Sequence, residues 1–272
     1  MSRTIVITGA SDGIGAAAAR ALSAAGEHVV ITGRDPGKTS RLAAEIGAQG
    51  FTADFADLAQ VRRLADQLRT QCPRIDILVN NAGAIMPGFA RTADGREKTF
   101  QVNHLAPFLL TTLLLDVLEA SSAAVITTAS TAASLGHVDL ADLDNTRAFD
   151  TKRAYATAKL ENILFTRELQ RRYADRGISA VAFHPGNVAS NFASDTTSNW
   201  RFVYGTPLRH LALISPQKGA RTLLWLANGT PGTTWTPGLF YVRHKPAIPS
   251  PQAADDALAA ALWDRTADLA AS

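Results

Sequence analysis

Tyr155 and Lys159 stand four residues apart in the stretch Ala154-Tyr-Ala-Thr-Ala-Lys159. On a helix that separation stacks both side chains on one face. A phenol held beside an ammonium can give and take a proton, because the positive charge favours the phenolate and lowers its pKa. Free tyrosine ionises at about pH 10 and is a poor base near neutrality without such help. The spacing alone recurs by chance on many helices. It becomes informative beside a second feature, Thr8-Gly-Ala-Ser-Asp-Gly-Ile-Gly15. Gly9, Gly13 and Gly15 lie between a β-branched run and an Ala-rich helical stretch. In that context glycines let the backbone turn tightly against a pyrophosphate, and the helix start offers free N–H groups and a favourable dipole. Ser11 can add a hydroxyl donor. The competing reading is an ordinary tight turn with a glycine cap.

A third feature follows the second strand, which ends in Thr32-Gly-Arg34. Dinucleotide sites that prefer the unphosphorylated cofactor carry an acidic residue near this point for the ribose hydroxyls. Gly33 is not acidic, and Arg34 is placed to pair with a 2′-phosphate, with Lys38 as a possible helper. That pattern favours NADP(H) over NAD(H). Asp12 argues the other way, since it brings negative charge towards the same phosphate. A solvated strand-end arginine is the plainer alternative for Arg34.

The elements that must position these residues alternate along the chain. Strands are expected at 4–8, 28–32, 50–54, 75–79, 123–128, 178–183 and 238–242. Helices are expected at 14–25, 36–47, 57–71, roughly 95–119, 152–175, 216–227 and 253–270. Continuous apolar strands separated by helices imply a parallel sheet covered on both faces. Right-handed crossovers then give a doubly wound α/β fold, a seven-stranded Rossmann-type sheet in a single domain over 1–272. Two stretches interrupt the alternation, about 131–150 and about 187–215, and long loops of this kind are commonly functional.

Composition narrows the function class. Of 272 residues, 46% are apolar and 19% charged, which supports a sizeable core, and the formal charge is only +3. Basic residues are scattered, with pairs such as Arg62-Arg63 and Arg171-Arg172 in helical patterns, so there is no nucleic-acid footprint. Cys72 is the single cysteine, which excludes an internal disulfide or a cysteine-rich metal site and fits a reducing, cytoplasmic setting. The six histidines lack metal-ligand spacing, so no metal is expected. The first strand is expected to begin at Thr4, so no signal peptide is expected ahead of it. The apolar run 108–118 is too short and too polar to insert into a membrane.

Taken together, these residues resemble the short-chain dehydrogenase/reductases, within them the retinol dehydrogenase and WW-domain oxidoreductase-like branch. The resemblance covers essentially the whole chain. It is carried by the glycine segment, Asp54-Phe55, Asn80-Asn-Ala-Gly83, Phe100-Gln-Val-Asn-His-Leu105, Ser130, Tyr155 with Lys159, and His184-Pro-Gly-Asn-Val188. The branch is carried by Lys159-Leu-Glu-Asn-Ile-Leu-Phe-Thr-Arg-Glu-Leu169, Ser215-Pro-Gln-Lys-Gly-Ala220 and Leu262-Trp263. The resemblance implies that Tyr155 is the general acid/base and that Lys159 holds the nicotinamide ribose. It also implies that Ser130 bonds the substrate oxygen, and that Asn103 breaks the regular bonding of its helix and anchors a water in a proton relay. For the cofactor it implies a cradle of Gly9, Ser11, Asp12, Gly13, Ile14 and Gly15. Asp54 and Phe55 would lie at the adenine, Asn81, Ala82 and Gly83 beside the adenosine, and Pro185, Gly186, Val188 and Ser190 at the nicotinamide. Three positions depart from the pattern: Phe55 where leucine is commoner, Ala129 where a second serine is frequent, and Ser190 where threonine is usual.

The expected reaction moves a hydride between NADP(H) and a carbonyl or alcohol. Apolar residues at 191–214 and at Ile85, Met86, Phe89 and Phe149 suggest a hydrophobic small-molecule substrate. His137 reads as a loop histidine rather than a second base. The stretch 105–118 is apolar almost all round, which suggests a second buried face and a homodimer or homotetramer built with the 152–175 helix. Two alternatives stay open at this point: a cofactor-retaining epimerase or dehydratase, and a non-catalytic dinucleotide sensor.

Overall fold

The computed structural model describes residues 2–186 and 214–271. Its sheet has the order β3-β2-β1-β4-β5-β6-β7-β8. The strands are β1 (Thr4–Ile7), β2 (His28–Gly33), β3 (Gln49–Thr52), β4 (Ile77–Asn80), β5 (Ala124–Thr128), β6 (Ser179–His184), β7 (Phe240–Val242) and β8 (Lys245–Ala247). The pairings from β3 through to β7 are parallel. The doubly wound expectation therefore holds, but the strand number does not: an eighth, antiparallel strand closes the β7 edge. Arg243 and His244 both have positive φ, 49° and 64°, and form the two-residue turn that folds β8 back. Pro246 lies within β8, and an edge strand is where proline is tolerated.

Period-two alternation sends neighbouring strand residues to opposite faces. Ile5, Ile7, Ile77, Val79 and Ile126 join one core with Leu22, Leu223 and Leu226. Val6, Leu78 and Val125 join the other with Leu64, Leu110 and Leu164. The first core is covered by α1 (Gly13–Ala24), α2 (Pro36–Ile46) and α7 (Pro216–Asn228). The second is covered by α3 (Leu58–Gln71), α4 (Ala106–Leu113), α6 (Thr151–Tyr173) and α8 (Asp256–Ala271).

The expected continuous helix over 95–119 is broken. It comprises a single turn Lys98–Phe100, a π-helical turn Gln101–Leu105, α4, and α5 (Leu115–Ala120). Pro107 has no N–H to offer the Asn103 carbonyl, and the Asn103 Nδ2 donates to the Thr99 carbonyl at 2.9 Å. The Ala106 N–H reaches back five residues to Gln101. Local chemistry thus inserts the bulge where the Asn103 and His104 side chains must both turn inward.

Much of the apolar run 105–118 is buried within the chain. Trp263 on α8 stacks on Phe165 at 5.7 Å and meets Phe108 edge-on at 4.9 Å. Helices α3 and α8 thereby flank α4, while Leu113, Leu115 and Val117 stay only partly buried. None of the helices among the described residues is long and apolar enough to cross a membrane.

One residue on the buried side of α6 works against stability. Glu161 is 1% exposed, and neither carboxyl oxygen has a hydrogen-bond partner among the described residues. Burial, then the nearby Glu97 and Asp144 carboxylates, push its pKa well above 4.5. A raised carboxyl pKa costs nothing while both states are protonated, and costs more as pH rises and the unfolded chain ionises first. Glu161→Met should therefore raise the melting temperature. The gain should be near zero at pH 4.5, should grow towards neutrality, and should correspond to about 1–3 kcal/mol at pH 7. Thermal scans of both proteins across that range test it, and a pH-independent difference would exclude the buried-acid explanation.

Candidate functional site

The glycine segment joins β1 to α1 at the carboxyl edge of the sheet, beside the β1/β4 boundary where strand order reverses. Gly9 has φ 63°, and a Cβ there would stand 2.7 Å from the Ala82 Cα, so the turn admits only glycine. The fully buried Thr8 hydroxyl accepts from the Asn81 and Ala82 N–H groups, both at 3.0 Å, and donates to the Val79 carbonyl at 3.1 Å. The Asn81 Nδ2 donates to the Thr8 carbonyl at 2.9 Å. This lashes the β1 turn to the β4 turn and places Ala82 and Gly83 over the glycine cradle. Asp12 caps α1, its Oδ1 accepting from the Gly13 N–H at 2.7 Å. The neighbouring first-turn amides of Ile14 and Gly15 are, by position, without intrahelical acceptors. Ser11 lies against Gly33, where a Cβ would come within 2.7 Å of the serine Cβ.

At the β2 end Arg34 is exposed and has no ion-pair partner among the described residues. Lys38 is paired with Asp12, Nζ to Oδ2 at 3.3 Å. The Asp12 charge is thereby offset, and Lys38 is partly committed. Asp54 follows β3 half-buried, its Oδ1 accepting from the Ala56 N–H at 2.9 Å. Phe55 packs its ring into the core, and its carbonyl accepts from the Gln101 Nε2 at 3.2 Å, which leaves the backbone N–H as the group it can offer a ligand.

Tyr155 and Lys159 share one face of α6, with the Lys159 Nζ 5.5 Å from the phenol ring centre. Tyr155 is half-buried, whereas Lys159 is 1% exposed. Burial lowers the Lys159 pKa to about 7. The Lys159 Nζ donates to the Thr128 carbonyl at 3.4 Å. Asn103 comes from the π-helical turn; its Nδ2 donates to the Ala84 carbonyl at 2.9 Å and its Oδ1 accepts from the Ala84 N–H at 3.2 Å. Gly83 closes the group: a Cβ there would lie 2.6 Å from the Asn103 Oδ1 and 3.1 Å from the Lys159 Nζ. A β4 turn, a helix bulge and α6 thus meet at one point.

Ser130 follows β5, 9% exposed, and caps a short 3-10 turn, its Oγ accepting from the Ala132 N–H at 3.1 Å. Acting as an acceptor leaves its own hydrogen free to donate. The turn is pinned to α6 because Gly136 packs against the Ala156 carbonyl and His137 bonds the Thr157 hydroxyl through its backbone at 3.2 Å. The exposed His137 ring takes no part in these bonds. On the other side the His184 Nδ1 accepts from the Thr131 N–H at 3.3 Å. Burial and then Arg243 lower the His184 pKa to about 4, so it stays neutral in this role. Pro185 and Gly186 continue from β6, Gly186 at φ 92°. Val188, Ser190 and the apolar segment at 191–213 lie outside the described residues.

Sequence reasoning quoted Thr8 and Thr128 only as parts of motifs and strands. Their roles depend on a hydroxyl and a carbonyl facing neighbouring strands, which no local pattern announces. No cluster of histidine, cysteine or carboxylate residues able to hold a metal ion exists among the described residues.

Comparison with known proteins identifies the family. A family model described as short chain dehydrogenase matches residues 3–200. The chain is 39% identical to "Putative daunorubicin C-13 ketoreductase DnrU" of Streptomyces sp. (strain C5), over 97% of this chain and 91% of that one. It is 34% identical to human retinol dehydrogenase 13, over 98% of this chain and 84% of the relative. A crystal structure of an uncharacterized protein from Mycobacterium paratuberculosis superimposes with a TM-score of 0.79 at 34% identity, covering 99% of this chain and 94% of that one. The family match over 3–200 and relatives more than 30% identical along nearly the whole chain leave one conclusion: the chain belongs to the short chain dehydrogenase family of oxidoreductases, which binds nicotinamide cofactors, in its retinol dehydrogenase-like branch.

Proposed function

We propose that the protein is an NADP(H)-dependent oxidoreductase that interconverts a ketone and an alcohol on a hydrophobic small molecule, with Tyr155 as general acid/base. The observation that carries this reading is the meeting of Lys159 and Asn103 at Gly83, with the Tyr155 ring 5.5 Å from the lysine nitrogen. The cradle fits a dinucleotide. Gly9 lets the β1 turn close against Ala82, and the α1 start presents first-turn amides without intrahelical acceptors to a diphosphate. Gly9, Ser11, Asp12, Gly13, Ile14 and Gly15 would hold the diphosphate side. Asp54, the Phe55 backbone, Asn81, Ala82 and Gly83 would hold the adenosine. Pro185, Gly186, Val188 and Ser190 would border the nicotinamide. The dinucleotide, when bound, supplies the hydride chemistry.

The chain's own residues supply the rest. The Ser130 hydroxyl donates to the substrate oxygen and holds it beside the phenol. Tyr155 delivers a proton to that oxygen during reduction and removes it during oxidation. Lys159, when protonated, stabilises the phenolate and donates to the ribose hydroxyls. Asn103 fixes the Ala84 backbone and orders water behind the lysine for proton return. The two relatives' names bracket the chemistry, one a ketone reductase and the other an alcohol dehydrogenase. Oxidation of added NADPH by a panel of hydrophobic ketones tests the reading. Dinucleotide binding without turnover on any carbonyl would favour an epimerase or a sensor instead.

The cofactor preference follows from Arg34, an exposed cation without an ion-pair partner among the described residues. A charge-assisted bond to a 2′-phosphate contributes about 1.5–3 kcal/mol. Arg34→Ala should weaken NADPH binding about 10–100-fold and leave NADH binding nearly unchanged. Nucleotide fluorescence titrations read this directly, and an equal loss for both dinucleotides would remove Arg34 from phosphate recognition.

A further inference from the structure

Behind Lys159 a chain of buried polar groups runs to the last helix. The Thr128 carbonyl, which accepts from Lys159, also accepts from the Asn162 Nδ2 at 3.4 Å. The Asn162 Oδ1 lies 3.3 Å from the His104 Nδ1, and the His104 Nε2 lies 3.2 Å from the Thr266 hydroxyl on α8. His104, Asn162 and Thr266 are each 3% exposed or less. The imidazole is surrounded by rings, with Phe100 at 5.7 Å and Phe108 and Phe165 at 6.4 Å.

The polarity of this chain has one consistent solution. Burial, together with the Lys159 charge, lowers the His104 pKa to about 4, so the ring carries a single proton. If Asn162 were flipped, its oxygen would face the Thr128 carbonyl oxygen, acceptor against acceptor. The amide N–H₂ therefore points to Thr128, the Nδ1–H of His104 donates to the amide oxygen, and the Thr266 hydroxyl donates to Nε2. Every member is satisfied, and a fully satisfied buried network holds its groups in one geometry. The amide hydrogens end beside the lysine nitrogen because both groups share one carbonyl.

We propose that Asn162 and His104 are positioning residues for Lys159, and that α8 anchors them through Thr266. The inference rests on the role given to Lys159 above. Asn162 shares the carbonyl that accepts from the ammonium and keeps the lysine directed towards Gly83 rather than locked onto Thr128. Substitution of the amide frees that carbonyl for Lys159 alone and removes a positive dipole end beside it. Both effects favour the ammonium.

The test uses full-length protein labelled with ¹³Cε-lysine, with the Lys159 resonance identified by its loss in Lys159→Met. Asn162→Leu keeps the volume and removes the amide. It should raise the Lys159 titration midpoint by about half a pH unit or more, and weaken NADPH binding about threefold or more, measured by fluorescence. Thr266→Val, a milder isosteric change, should move the midpoint the same way by less, and serves if Asn162→Leu does not fold. A midpoint within about 0.2 pH unit of wild type in a folded variant, with unchanged NADPH affinity, would leave the network purely structural and overturn the proposal. If wild-type protein binds neither NADPH nor NADH, the functional reading fails, while the lysine titration still decides whether Asn162 positions Lys159.

Discussion

Tyr155→Phe should reduce turnover by about 10²–10⁴-fold while leaving the NADPH dissociation constant within about threefold of wild type. The substitution removes one oxygen from a half-buried ring and keeps the ring's packing on α6. Nothing in the dinucleotide cradle is altered, because the cradle hangs on Thr8, Asn81 and Gly9. The loss should fall on kcat far more than on substrate KM, since proton transfer to the substrate oxygen matters most in the transition state. Single-turnover mixing of NADPH-loaded enzyme with ketone measures the chemical step alone. Activity near wild type would mean that another group, the Ser130 hydroxyl first, delivers the proton.

The second large effect joins activity to stability. Lys159→Met should weaken NADPH binding about tenfold or more and depress kcat by about 10²-fold or more, since in the proposed mechanism it removes both a ribose donor and the charge that favours the phenolate. The same variant should be more stable than wild type. Lys159 has its pKa lowered from 10.5 to about 7 by burial, so the folded protein resists protonation there and the unfolded chain does not. Stability then rises with pH between about 7 and 10.5 as the folded lysine sheds its proton before the unfolded one. The gain from methionine is accordingly full below about pH 7, on the order of a few kcal/mol, and vanishes above 10.5. Denaturant titrations at pH 6 and pH 10 distinguish the cases. A variant equally stable at both would show that the buried ammonium is not the source of the cost. Such a trade is expected wherever function requires a charge that folding alone would exclude.

Much of this was legible in the residues. Alternation of apolar strands with helices determines a doubly wound sheet, because each strand must bury both faces. Glycines between β1 and α1 determine a close-approach turn, since only they accept the positive φ and the contact with Ala82. Tyr155 and Lys159 share a face because four residues make about one helical turn. The eighth strand was hidden because three residues containing a proline carry no periodic signal, and it exists only through pairing with β7. The apolar α4 shows the limit of periodicity, which reports that a face is buried, not what buries it: part of that face packs on Trp263, far along the chain.

What the order of residues could not decide is which distant groups share an atom. Helix propensity, turn chemistry and hydrophobic period act over a few residues, and they settled most of the elements and the side each presents. The Lys159 environment is assembled from Gly83, Asn103, Thr128 and Asn162, on four different segments, and through His104 from Thr266 on a fifth. Their joint burial sets the lysine's protonation and the asparagine's orientation. Both are long-range electrostatic outcomes of packing in a medium from which water is excluded, and only the tertiary structure brings those groups within reach of one another.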